Sequence, residues 1–213
     1  MKTYLFDFDG TLVDSMPTYA ALMLRILDEA KIEHDSTIIK IITPLGFIGT
    51  AEYFRGMGMK GSTDEIVAKM RAYATDAYTY DVPAKNFVIE TVKLLKARGD
   101  SLNVLTASPH TSLDPCLKRL GIFDLFDNVW SCEDFGTTKA DPKIYEMAAQ
   151  KLGRTVQEVY FLDDNLNAVT TSKKANMKTI GVYDDSSAEY TSEIKAVCDA
   201  YINDFSELPN VNI

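Results

Sequence analysis

Two aspartates one residue apart, Asp7 and Asp9, close an apolar run and are followed at once by Gly10 and Thr11, in the stretch YLFDFDGTLVDS. Carboxylates at the edge of a core are costly to desolvate unless something compensates their charge. A bound cation, a catalytic role and capping of the next turn are the three candidates. Two other apolar runs end on groups that could join them. SLNVL leads into Thr106-Ala107-Ser108, and EVYFL leads into Asp163-Asp164-Asn165. Between those runs Lys139 precedes Asp141-Pro142, a pair suited to starting a helix. Brought together, these positions supply three or four carboxylates, one hydroxyl and one ammonium.

Such a set suits magnesium-dependent phosphoryl transfer. Mg²⁺ takes oxygen ligands, typically one or two carboxylates plus substrate phosphate. The reaction asks for positioning and charge neutralisation more than covalent work from the protein. Thr106 Oγ1 and the backbone N–H groups after it would hold phosphate oxygens near a helix start, and Lys139 would offset the concentration of negative charge. A carboxylate nucleophile can form an acyl-phosphate, dividing one difficult step into two. Taken singly, each residue has a plainer use. Thr106 can satisfy a turn, Lys139 can be a solvated surface lysine, and Asp164 can cap the next helix. Their joint order along the chain favours the chemical reading.

The elements that must position these groups can be read from the hydrophobic pattern. Strands are expected at Thr3–Phe8, Leu102–Leu105, Asn128–Ser131, Val159–Leu162 and Thr179–Val182. Several are near-continuous apolar runs, as parallel strands covered on both faces require. Helices between them should stop at Gly99, Gly121 and Gly153. The alternation predicts an α/β fold, a doubly wound parallel sheet of Rossmann type whose strand ends share one edge. From Met16 to about Pro83 the rhythm changes to helical periodicity without a convincing strand. Ala20, Met23, Leu24, Leu27 and Ala30 mark one amphipathic face, and Ile66, Met70 and Tyr73 begin another. Between them TPLGFIGT and RGMGMKG read as glycine-punctuated loops. The expected organisation is an α/β core over residues 1–15 and 84–213, with a small all-helical cap over 16–83. That cap would close over the carboxyl ends of the strands.

Composition narrows the partners. The 213 residues are 46% hydrophobic and 25% charged with a net charge of −9, which disfavours nonspecific binding to nucleic acid or anionic membrane. The three cysteines, Cys116, Cys132 and Cys198, are scattered and form no zinc or disulfide pattern. Met1-Lys2 runs straight into a strand with no secretory h-region, and no apolar run reaches membrane-spanning length. A cytoplasmic protein is expected, and a monomer, because no coiled-coil pattern is present.

The four segments DFDGTLVDS, VLTAS, TTKADPKIY and FLDDNLNAV, in that order, resemble the four motifs of the haloacid dehalogenase-like superfamily of phosphohydrolases. The resemblance spans essentially the whole chain, including a helical cap after the first motif. It implies Asp7 as nucleophile and Asp9 as general acid/base. It implies Mg²⁺ held by the Asp7 carboxylate, the Asp9 backbone carbonyl and Asp164, with Asp163 as ligand or as support behind a ligand. Gly10 would allow a tight turn and Thr11 would orient Asp9. Asn165 and Ala168 stand where many members have serine and glycine, at a helix start, and remove no ligand.

Substrate choice in that superfamily comes from the cap. A phosphatase, a sugar phosphomutase and a dehalogenase share the plan. The dehalogenase reading fails on Asp9, which halide displacement does not need. The β-phosphoglucomutase type carries a cap histidine and a cap-loop arginine, where this chain has Tyr19 and Gly49 by ungapped count. The expectation is therefore a phosphoglycolate-phosphatase-like hydrolase of a small phosphorylated metabolite. Substrate contacts are expected from Gly10, Thr11 and Ala107 around the phosphate, and from Phe47 and Arg55 in the cap. A mutase and a non-catalytic phosphate-binding module are the alternatives.

Overall fold

In the computed structural model, which describes residues 1–213 apart from the side chain of Pro44, six strands form one parallel sheet. At its centre β1 (Thr3–Phe6) lies between β2 (Ser101–Thr106) and β4 (Val159–Asp163). Outside β2 is β3 (Asn128–Ser131); outside β4 come β5 (Lys178–Val182) and then β6 (Ala200–Ile202). The order β3-β2-β1-β4-β5-β6 reverses direction between β1 and β4, and such a switch point opens a crevice at the carboxyl ends of the strands. Helices cover both faces.

Side-chain alternation explains why these strands are apolar throughout. Leu5, Leu105, Val159 and Phe161 enter one core with Ile144, Tyr145 and Ala148 of α7 (Lys143–Lys151). Tyr4, Phe6 and Tyr160 face the other way, with Phe6 ring centroids 6.1 Å from Phe126 and 6.2 Å from Phe205. Register is tight: Phe6 pairs with Val104 on one side and Leu162 on the other. Asp7 and Asp163 therefore follow one step beyond aligned partners.

The chain divides into two compact units, Met1–Asp14 with Val82–Ile213, and Ser15–Asp81. The second unit consists of α1 (Met16–Glu29), α2 (Ile38–Ile42), α3 (Gly46–Gly56) and α4 (Thr63–Tyr80), with a core that includes Met23, Ile26, Ile42, Ala51, Phe54, Ile66 and Met70. The remaining helices belong to the first unit: α5 (Val88–Ala97), α6 (His110–Arg119), α8 (Leu166–Lys174) and α9 (Thr191–Val197).

Several expectations are corrected. Most of TPLGFIGT is not a loop, because α3 begins at Gly46; Thr50, Ala51 and Phe54 recur at helical spacing and are buried, so packing outweighs the glycines. The buried stripe of α1 is Met23, Ile26 and Leu27, while Ala30 is exposed past its end. The first strand stops at Phe6, since Leu12 N–H and Val13 N–H both donate to Phe8 O and fold residues 8–13 into a turn. A sixth strand, Ala200–Ile202, goes beyond the five expected.

Candidate active site

The turn after β1 carries the first acids. Asp7 N–H still donates to Leu162 O at 2.8 Å, which holds the residue at the end of β1 against β4. Gly10 then turns the chain at φ +73°, where a side chain would be strained. The fourth-motif acids arrive on β4 and just beyond it. One carboxylate oxygen from each of Asp7, Asp163 and Asp164 lies within 4.8 Å of the others, and all three residues are buried.

One ammonium balances this charge. Lys139 Nζ lies 2.6 Å from Asp7 Oδ1 and 2.7 Å from Asp163 Oδ2, and its side chain is 15% exposed. The backbone behind it is braced by Tyr145, whose hydroxyl lies 3.1 Å from the carbonyls of Lys139 and Ala168. Burial pushes the Asp7 carboxyl up to about 7; Lys139 opposes that shift, and Asp163 and Asp9 add to it. Burial also raises Asp164 well above the usual carboxylate range, with Asp163 and Asp7 as further causes. Burial alone would lower the Lys139 ammonium, but Asp163 and Asp7 hold it well above its ordinary value.

Asp163 accepts on both oxygens, from Lys139 Nζ and from Asn165 N–H at 2.8 Å. Asn165 in turn caps α8, its Oδ1 accepting from Asn167 N–H at 2.9 Å and Ala168 N–H at 3.3 Å. Asp164 accepts from Thr11 Oγ1 at 3.1 Å. Thr11 was expected to orient Asp9, and its hydroxyl serves Asp164 instead. Asp9 Oδ2 accepts from Ser108 Oγ at 2.5 Å.

At the end of β2, Thr106 is buried and its Oγ1 accepts from Ser108 N–H at 3.0 Å, while Ala107 at the turn is exposed. Asp7, Asp9, Gly10, Thr11, Thr106, Ala107, Lys139, Asp163 and Asp164 all belong to the first unit: Thr106 and Asp163 end β2 and β4, Lys139 lies in the segment before α7, and the others lie on the turns after β1, β2 and β4. Phe47 and Arg55 belong to the second. There Phe47 stacks on Tyr19 with centroids 6.4 Å apart, and Arg55 donates from Nη1 to Thr63 Oγ1 at 3.2 Å.

Ser108, Tyr145 and Lys85 contribute to the site without standing out in the sequence. Ser108 and Tyr145 lie inside VLTAS and TTKADPKIY, so a local signal was present. Lys85 reaches Gly10 O at 2.7 Å from an ordinary stretch, VPAKNF, that carries no chemical signal.

The donor set fits a hard divalent cation: three buried carboxylates, clustered, against one ammonium, with no histidine or thiol among them. A doubly wound sheet with such a cluster at its switch point is the architecture of an α/β enzyme. The chain belongs to the haloacid dehalogenase-like hydrolase family, whose sequence model matches residues 4–182. It is 31% identical to pyrophosphatase PpaX of Bacillus velezensis over 84% of this chain and 81% of that one. Hexitol phosphatase B of Escherichia coli is 29% identical over 84% of this chain and 82% of its own. In three dimensions the chain is similar to a predicted phosphoglycolate phosphatase of Haemophilus somnus, with TM-score 0.83 and 21% identity over 99% of this chain and 97% of that one. Among the described residues no helix is long and apolar enough to cross a membrane.

Proposed function

We propose that this chain is a magnesium-dependent phosphomonoester hydrolase that acts on a small phosphorylated metabolite through an aspartyl-phosphate. The observation that carries the reading is the Asp7 carboxylate, buried beside Asp163 and Asp164 and held at 2.6 Å by Lys139. Phosphatase names among its relatives support the class.

Asp7 is the nucleophile. Its free carboxylate oxygen attacks phosphorus, the P–O bond to the alcohol breaks, and the departing oxygen takes a proton from Asp9. Asp9, now a carboxylate, removes a proton from water, which attacks the aspartyl-phosphate, releases inorganic phosphate and restores Asp7. Ser108 holds Asp9 by the 2.5 Å bond, and Lys139, 2.6 Å from Asp7 Oδ1, opposes the rise that burial imposes on the Asp7 carboxyl. Thr106 and the N–H groups of the turn through Ala107 bind phosphate oxygens in this reading.

Asp7, Asp164 and the Asp9 carbonyl would hold the magnesium ion, which supplies charge neutralisation to the carboxylates and the phosphate. Asp163, engaged on both oxygens, is better suited to fixing Lys139 than to ligation. The Ser15–Asp81 unit acts as the cap that selects the substrate, with Phe47 and Arg55 as contacts. The same reading has the enzyme act in the cytoplasm as a monomer; free thiols at Cys116, Cys132 and Cys198 agree with a reducing compartment.

Phosphate release from sugar phosphates, phosphoglycolate, hexitol phosphates and nucleoside monophosphates, with magnesium, tests the proposal. Release from one substrate far above the rest, abolished by Asp7→Asn with the fold intact, is the expected result. A phosphate shifted within the sugar, without release, would identify a mutase. Magnesium-linked stabilisation without turnover of any kind would identify a binding module.

A further inference from the structure

Lys85 lies where the first unit resumes after Val82, in a short segment aligned with the end of the 8–14 turn. Lys85 N–H donates to Leu12 O at 3.0 Å and Asp14 N–H to Pro83 O at 2.9 Å, with Val13 and Ala84 bridged antiparallel between them. From that segment the side chain runs inward, 16% exposed. Its ammonium has three hydrogens and three acceptors: Gly10 O at 2.7 Å, Tyr183 O at 2.5 Å and Asp184 Oδ2 at 2.8 Å. Asp184 is 4% exposed, and its other oxygen accepts from Ser186 N–H at 2.9 Å.

A desolvated ammonium is costly, and one that meets a buried carboxylate and two carbonyls with all its donors is a fixed point rather than a surface charge. What it fixes is the peptide between the two residues that matter most in the turn. Gly10 O lies directly after Asp9 and directly before Thr11. Gly10 N–H donates to Val13 O at 2.9 Å, and Thr11 Oγ1 donates to Asp164. The turn is thus held by its amide, by a side chain and, through Lys85, by its carbonyl. Of these ties, the one from Lys85 anchors the turn to the end of β5, two strands away from β1.

We propose that Lys85, backed by Asp184, is a positioning residue that sets the aim of Asp9 by clamping the Gly10 carbonyl to the end of β5. This rests on the phosphatase reading for its kinetic consequence, though not for the clamp itself. If Asp9 is misaimed, the step that suffers is protonation of the departing alcohol. A poor leaving group needs that proton and a good one does not.

The experiment compares wild type, Lys85→Met, Asp184→Asn and Asp9→Asn on an alkyl phosphate and on 4-nitrophenyl phosphate, with hydrogen exchange of residues 8–14 measured on each. Lys85→Met should lose about tenfold or more in kcat/KM on the alkyl ester beyond its loss on the aryl ester, with Asp9→Asn showing the same asymmetry more strongly. Exchange at Gly10 to Val13 should rise in Lys85→Met. Asp184→Asn should move both readings the same way by less, and it serves alone if Lys85→Met fails to fold. Equal losses on the two esters, as loss of folded protein would give, or unchanged exchange in the turn, would overturn the proposal. Should wild type hydrolyse neither ester, the exchange measurement alone decides the clamp, and the phosphatase reading is decided by the metabolite panel.

Discussion

Gly10 shows how narrowly a single residue is constrained here. It sits at φ +73°, and a Cβ added to it would lie 2.6 Å from Asp164 Oδ2. Gly10→Ala therefore meets two costs, a left-handed backbone of order 1–3 kcal/mol and displacement of a proposed magnesium ligand. The expected outcome is a lowered melting temperature together with a weaker magnesium requirement curve; an unchanged magnesium titration would show that Asp164 is not a ligand. Asp9→Asn makes a separate prediction, a fall in turnover of roughly 10²–10⁴-fold with magnesium binding retained, checked by phosphate release and calorimetric titration. At this scale the sequence is eloquent where rare chemistry is concentrated. Asp7, Asp9, Asp163 and Asp164 stand out because acids after apolar strands need a reason. Lys85 and the Thr11–Asp164 bond are silent, since a lysine after proline-alanine and a threonine after glycine are ordinary, and what they touch lies 75 and 153 positions away.

Among the elements, α3 is the instructive case. Its sequence, GFIGTAEYFRG, holds three glycines and has low intrinsic helicity, yet Thr50, Ala51 and Phe54 are buried within the helical unit. Packing must therefore supply its stability. Phe54→Ala should cost about 3–5 kcal/mol by leaving a cavity, read as accelerated exchange across residues 46–56 and a lower urea midpoint. A loss well under 1 kcal/mol would mean that α3 does not depend on that core. Local signals and tertiary ones part company here. The stops at Gly99, Gly121 and Gly153 were legible because each residue takes a positive φ just past a helix end, a backbone demand visible in one letter. The start of α3 was not, because what fixes it is contact with α4 and α1. The strand β6 was hidden for another reason. It spans three residues, Ala200 to Ile202, with one of them buried, and its place comes from the edge of β5 rather than from its own pattern.

For the whole molecule, the doubly wound plan was readable because its strands are apolar on both faces, and the site followed because parallel strands bring their ends to one edge. That same convergence has a consequence for stability. Without a divalent cation, burial holds the Asp7 carboxyl at about 7, while in the unfolded chain it titrates near the ordinary 3.8. Between those values the folded chain keeps a proton that the unfolded chain has released. Stability must therefore fall as pH rises across that window, by the sign of the proton difference. Asp164 is shifted the same way and adds to the fall. Lys139 acts in the opposite sense but elsewhere: its raised value protects stability below its ordinary 10.5 and gives it up only at still higher pH, outside the window. In chelator the melting temperature should decline from pH 4 towards pH 7 on this account. Magnesium, if it is held by the ionised carboxylates, competes with the proton, so its stabilising effect should grow over the same range. Measured melting curves at several pH values, with chelator and with magnesium, decide the matter. Parallel curves would mean that the cation does not bind these acids, and converging curves at low pH would place it on Asp7 and Asp164.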